Sequence, residues 1–175
     1  YKVDYLARQN SSSGRVKEYG IEVSTDNVQY TEVAHGMLAD SAAWQGIEFI
    51  PAAAKYIRFV AYEAYNSGTE SCSLAELKLH EYSDGVITPG NKEELKALAD
   101  GAADLAEEDY SDVTWSAYAE ALAAANAVLD SEIPVSQSLI DRTADNLKDA
   151  QEALTDISRA AARFNEIRKQ EAEYT

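Results

Sequence analysis

The chain has 175 residues, with 31 acidic and 15 basic side chains and a formal net charge of -16. A surface that negative repels phosphate backbones and anionic bilayers, which argues against nucleic acid and membrane surfaces as partners. No apolar run approaches the roughly 18–20 residues a membrane span needs, so no membrane insertion is expected. The first residue is Tyr1 rather than Met, and the sequence reads as an excerpt of a longer protein.

The pattern changes near Pro89-Gly90. Residues 1–90 hold most of the Gly, Tyr, Val, Ile and Phe, with 7 basic and 12 acidic side chains, whereas residues 91–175 are rich in Ala, Leu, Asp and Glu, with 8 basic and 19 acidic. In the first part apolar residues recur with period two. Tyr19, Ile21 and Val23 alternate with Glu18, Glu22 and Ser24; Ile57, Phe59 and Ala61 with Arg58 and Val60; Leu77 and Leu79 with Lys78 and His80. Half-buried antiparallel strands are predicted, and short strands at near-regular spacing suggest a sandwich. Asp26-Asn27, between Ser24 and Val28, predicts a hairpin turn. Cys72, the single cysteine, cannot form an internal disulfide. It would need a base such as His35 or His80 to act as a nucleophile, and it is expected to be a semi-buried thiol beside a strand.

The segment Ser83 to Gly90 carries turn residues at both ends and reads as a linker. Beyond it the period becomes helical. Leu95, Leu98, Ala102 and Leu105 form one stripe, and Trp115, Leu122, Ala125 and Leu129 a second. Ile140, Ala144, Leu147, Ala150, Leu154 and Ile157 form a third, which continues through Ala161, Phe164 and Ile167. If unbroken, that third helix is about 35 residues, on the order of 50 Å long. Ser111 or Asp112 is placed to cap the second helix and Ser136 the third. Pro134 lies in the loop between them. Three such helices with short connections predict a small antiparallel bundle.

Two resemblances sharpen this reading. Tyr5-Leu6-Ala7-Arg8-Gln9, the run Gly14 to Asp26, Phe49-Ile50-Pro51, Ala54 to Val60 and Ser73-Leu74-Ala75-Glu76-Leu77 occur in an order and spacing that resemble the C-terminal part of a discoidin (coagulation factor 5/8 type C) domain. The likeness is greatest to family-32 carbohydrate-binding modules. It covers residues 1–82 and implies part of an eight-stranded jelly roll of the galactose-binding-like kind, with its opening strands missing. Leu95-Lys96-Ala97-Leu98 through Asp109-Tyr110, Trp115, Ala121-Leu122, Ala127-Val128-Leu129 and Leu147 to Leu154 resemble the FIVAR module, which implies a spacer or protein-contact role. The expected organisation is multi-domain: a partial antiparallel β-sandwich over residues 1–82, a linker over 83–91, an all-α three-helix bundle over 92–157 and a helical extension over 158–175.

The resemblance also implies site residues. Arg8 matches the arginine of a Pro-Arg-Gln motif that donates to sugar hydroxyls, and its planar fork of donors suits adjacent hydroxyls; the alternative is an arginine bonding loop carbonyls. Asn10 lies in the same loop. The family's aromatic before Ser-Ala-Ala-Glu is absent from Glu70-Ser71-Cys72, which leaves Tyr62 or Tyr65 as its replacement. Glu76, with the Ala75 carbonyl, matches a structural calcium site, since a hard cation takes carboxylate and carbonyl oxygens; the alternative is a glutamate bonding backbone amides. Trp115, on an apolar stripe, reads as core, and Trp44 is left open. Asp104 and Glu107-Glu108-Asp109 read as a solvated charged face rather than as catalytic carboxylates. No catalytic triad, phosphate loop or zinc spacing is present.

The function expected from this reading is a non-catalytic carbohydrate-binding module plus a helical spacer, from a secreted or cell-surface bacterial glycoside hydrolase. Its partners would be glycans containing galactose or N-acetylhexosamine, with other proteins contacted through the bundle. The alternative is a structural, protein-interaction or cell-wall-attachment role without sugar binding.

Overall fold

The computed structural model describes residues 1–66 and 71–155, leaving aside the side chains of 103 and 104. The predicted helical extension over 158–175, with Ile157, Ala161, Phe164 and Ile167, lies outside the described residues, as do Glu70 and the Asp104 side chain. The chain divides into two compact units, Tyr1–Ile87 and Thr88–Thr175.

The first unit is a partial β-sandwich of two three-stranded antiparallel sheets. Its strands are β1 (Lys2–Ala7), β2 (Val16–Ser24), β3 (Thr31–Met37), β4 (Trp44–Glu48), β5 (Tyr56–Ala64) and β6 (Leu74–His80). One sheet runs β4-β1-β6 and the other β3-β2-β5, so β1 and β2 are the central strands. Alternation sets their inner faces along β1 and from Tyr19 to Val23 of β2, and a register shift between Val16 and Tyr19 lets both enter the core. Val3, Tyr5 and Ala7 of β1 and Tyr19, Ile21 and Val23 of β2 are buried, and with Leu38, Ile47 and Phe49 most of them form a single core. Phe59 of β5 stacks on Tyr5, with centroids 5.5 Å apart and planes 6° apart, and on Tyr19 at 6.2 Å and 14°. A one-residue slip would turn this whole set to solvent, so the core itself pins the register.

The Asp26-Asn27 turn is present, within a longer loop between β2 and β3. Asp26 Oδ1 accepts from the amides of Val28 and Gln29, and Asn27 takes φ 63°, a left-handed conformation Asn tolerates. Exposed apolar strand residues fall on the four edge strands rather than on the two central ones. Ile21 and Val23 are buried, whereas Ile57 of β5 is 37% exposed and Leu79 of β6 is 58% exposed although it pairs with Val3. Central strands have sheet on both sides and a layer opposite, and edge strands do not. Cys72 is exposed rather than semi-buried, just before β6.

The second unit holds α1 (Glu93–Asp100), α2 (Asp112–Asp130) and α3 (Gln137–Glu152). Ser111 Oγ accepts from Thr114 N and Ser136 Oγ from Leu139 N, so both expected N-caps are serines. Lys92 Nζ donates to the Leu129 carbonyl at 3.0 Å, satisfying a C-terminal group of α2. Leu95, Ala125, Ile140, Ala144 and Leu147 are buried as the stripes predict.

Three expectations are corrected. The first helix stops at Asp100 and continues only as a 3-10 turn over Gly101–Asp104. The third is not continuous past Glu152, because the chain turns away to bond the start of α2: Thr155 N donates to Thr114 Oγ1, and Ser111 N to the Thr155 carbonyl. The fully buried aromatic of α2 is Tyr118, not Trp115, which is half-buried between Tyr110 and Tyr118.

The Tyr118 hydroxyl is buried without a hydrogen-bond partner among the described residues, and burial pushes its pKa up. An unmet buried hydroxyl costs about 1–3 kcal/mol of desolvation. Tyr118→Phe is therefore expected to stabilise the helical unit by about 1 kcal/mol in urea denaturation; a clear loss of stability would show that the hydroxyl has a partner.

Candidate functional site

Three loops meet at one end of the β unit: residues 8–15 between β1 and β2, 38–43 between β3 and β4, and the described residues 65–66 and 71–73 after β5. Strand pairing brings them there, since Ala7 pairs with Leu74, Leu6 with Trp44 and Val16 with Ala64. Backbone bonds then stitch the loops. Gly14 N donates to the Tyr65 carbonyl, Tyr65 N to the Arg15 carbonyl and Ser73 N to the Gly14 carbonyl. Gly14 has φ 79° and little room for a Cβ, which would sit 3.1 Å from the Ser71 carbonyl oxygen, so a glycine is required here.

Arg8 lies exposed in the first loop. Its Nε donates to Asn10 Oδ1 at 2.7 Å, and its carbonyl accepts from Arg15 Nε at 2.9 Å. Arg15 also pairs with Asp40 Oδ1 at 2.9 Å, its side chain largely buried. Arg15 thus ties the Arg8 backbone to the 38–43 loop. Gln9 adds a second tie, donating to the carbonyls of Ala7 and Ala42. The terminal amines of Arg8 take no partner among the described residues. A guanidinium held at Nε and free at its tip is a pre-oriented pair of donors.

The structure brings Arg8 and Asn10 into direct contact and keeps Tyr65 at the same loop end through its backbone bonds to Gly14 and Arg15, whereas Tyr62 sits elsewhere. Tyr65 is a loop anchor, its hydroxyl donating to the Leu38 carbonyl at 2.8 Å. Tyr62 lies on the outer face of the β3-β2-β5 sheet, where its hydroxyl donates to Glu32 Oε2 at 2.8 Å and its ring stacks on His35 at 5.2 Å. Period two explains the difference: β5 sends Ala61 inward and Tyr62 outward, away from the loop end.

Glu76 and Ala75 are exposed on β6, and Glu76 pairs with Lys78 at 3.7 Å. Among the described residues no cluster of three metal-ligating side chains forms. One carboxylate and one carbonyl fall well short of the six to eight oxygens calcium takes, so the described residues do not by themselves fit that ion. Lys78 Nζ sits 3.9 Å over the Trp44 ring, a cation–π contact that covers one face of the tryptophan. Glu107, Glu108 and Asp109 lie exposed in a 3-10 turn. A cavity of about 330 Å³ lies between α1 and α3, and none of the expected sugar-binding residues lines it.

The Arg15–Asp40 clamp was not anticipated. Gly14-Arg15 stands in the sequence as a turn glycine followed by a charged residue at the start of a strand, but nothing local points to Asp40 as its partner.

Residues 1–77 match the family model of the F5/8 type C domain. Among solved structures, the chain is similar to CBM32-5 of CpGH89 from Clostridium perfringens, in complex with GalNAc-β-1,3-galactose. The identity is 28% over 43% of this chain and 52% of that one, with a TM-score of 0.40. It is also similar to CBM32-3 from a family 31 glycoside hydrolase of the same organism, 33% identical over 43% of this chain and 51% of that one, with a TM-score of 0.35. The CBM51-2 and INT domains of Clostridium perfringens ZmpB align at 12% identity over 90% of this chain and 33% of that one, again at 0.35. The chain spans about half the length of the two CBM32 chains it matches.

Proposed function

We propose, starting from the F5/8 type C match over residues 1–77, that the β unit is a non-catalytic carbohydrate-binding module whose sugar site is the loop end around Arg8. The observation that carries this reading is the tethered Arg8 itself. Its backbone is clamped by Arg15, its Nε is held by Asn10, and its tip is open to solvent. Fixing the donors beforehand lowers the ordering cost of meeting two neighbouring hydroxyls. Tyr65 serves this site by positioning the loop rather than by stacking on the sugar.

An exposed loop site of this kind binds weakly, with dissociation constants on the order of 0.1–1 mM, or about -4 to -5.5 kcal/mol. Tethering to a catalytic domain of a secreted or cell-surface glycoside hydrolase would make such affinity effective. In this reading the helical unit is a FIVAR-like spacer that also contacts other proteins. The test is a glycan array probed with the whole chain. Galactose- and N-acetylhexosamine-terminated glycans are expected to bind, and the first probe is the GalNAc-β-1,3-galactose seen with the Clostridium perfringens module. Absence of binding to every glycan would move the reading to a structural or attachment role.

Calcium belongs to this reading only for a longer module that supplies the missing oxygens to Glu76 and the Ala75 carbonyl. Thermal melts of this chain with calcium and with chelator are expected to coincide. A chelator-reversible rise in Tm, lost in Glu76→Gln, would instead place the remaining ligands within the chain.

A further inference from the structure

We propose that the outer face of the β3-β2-β5 sheet is a second carbohydrate site, built on Tyr62 and selective for neutral pyranosides. This rests on the glycan-binding reading but concerns a different surface from the Arg8 loop end. In the middle of this face, β2 carries a glycine. A Cβ on Gly20 would come within 2.9 Å of Tyr62 Cε2 and hydroxyl and 2.6 Å of Glu32 Oε2. The bare backbone at Gly20 is therefore what lets Tyr62 reach from β5 across β2 to Glu32 on β3. The ring is fixed in that position by its bond to Glu32 and by the His35 stack, yet Tyr62 keeps 49% of its surface exposed. Neighbouring side chains brace the arrangement: His35 Nε2 meets Glu18 Oε1 at 2.8 Å, and His35 Nδ1 lies 3.4 Å from Glu32 Oε1.

An immobilised, half-exposed ring is a platform for the C–H face of a sugar, and its ordering cost is met before the ligand arrives. The rim is acceptor-rich. A carboxylate offers about four lone-pair sites, so Glu18 and Glu32 keep acceptor capacity beyond the bonds they make to His35 and Tyr62. Vicinal hydroxyls are donors that match those acceptors. The same two carboxylates repel an anionic sugar, which sets the selectivity: neutral hexoses and N-acetylhexosamines bind, uronic acids do not.

The experiment is amide and side-chain NMR of the whole chain titrated with methyl β-galactoside, N-acetylglucosamine and, as the anionic control, methyl glucuronide. Concentrations of about 10 mM, tenfold above a 1 mM dissociation constant, suffice. Saturable shifts at Gly20, Glu32 and His35 with a neutral sugar are expected, with none from the glucuronide. Tyr62→Ala is expected to weaken them at least tenfold, and Tyr62→Phe, which keeps the ring, to weaken them less than threefold. Arg8→Ala is expected to leave them in place. Shifts confined to residues 8–15 would overturn the second site and leave the loop-end reading standing. Shifts on the sheet face alone would do the reverse, and shifts at neither place would overturn both. Equal binding of the glucuronide would overturn the assignment of Glu18 and Glu32 to the rim.

Discussion

Tyr5→Ala is expected to cost the β unit about 3–5 kcal/mol, the range for removing a fully buried aromatic side chain. Tyr5 has no exposed surface and sits at the centre of β1, the middle strand of its sheet. Its ring stacks on Phe59 of the opposite sheet, and its hydroxyl accepts from the Val16 amide at 3.2 Å. Truncation would open a cavity, break the inter-sheet stack and leave a buried amide unmet. A domain is commonly stable by only about 5–15 kcal/mol, and this one has an exposed apolar edge, so the variant is expected to be largely unfolded at room temperature. Tyr5→Phe separates the contributions, because it keeps the ring and removes only the bond to Val16, at about 1–3 kcal/mol. Urea denaturation followed by near-ultraviolet circular dichroism reads both. A loss below about 1.5 kcal/mol for Tyr5→Ala would mean that the sheets are not held together through Tyr5.

The elements that alternate or repeat over many residues were legible in the sequence. Tyr19, Ile21 and Val23 gave away β2, and Ile140, Ala144 and Leu147 gave away α3, because burial of one face leaves a periodic trace. Ser111 and Ser136 were legible as caps because the capping bond is local. The end of the third helix was misjudged because its deciding partners are distant along the chain. The apolar stripe through Leu154 and Ile157 extends the helical pattern, but the α3 terminus is decided by Thr155 bonding Ser111 and Thr114, some forty residues earlier in the chain. Trp115 and Tyr118 are both aromatic and one helical turn apart, so the period cannot say which is buried.

The candidate site divides in the same way. Arg8 and Asn10 are two residues apart, and the sequence paired them. Tyr62 and Tyr65 looked equivalent as aromatics near one loop, yet Tyr62 is held on the outer face of β5 and Tyr65 lies in the turn just beyond the strand end. Tyr65 faces the Leu38 carbonyl while Tyr62 lies over Gly20. The Arg15–Asp40 pair, which holds the Arg8 backbone in place, joins two loops 25 residues apart, a separation that no local pattern encodes.

The central claim is that Arg8 binds a sugar at the loop end, and a titration of Arg8→Ala tests it most directly. Arg8 is exposed, so its removal leaves the core intact and the variant is expected to melt with the wild type. Losing a charged donor costs about 1.5–3 kcal/mol, roughly 10- to 150-fold in affinity. From a starting dissociation constant on the order of 0.1–1 mM, that puts binding at the loop end beyond detection. The measurement is isothermal titration of the strongest array glycan into the whole chain and into Arg8→Ala, each in a Tyr62→Ala background so that the sheet face cannot report. The account predicts heat of binding for the chain that keeps Arg8 and none for the one that lacks it; equal affinity in the two would contradict it.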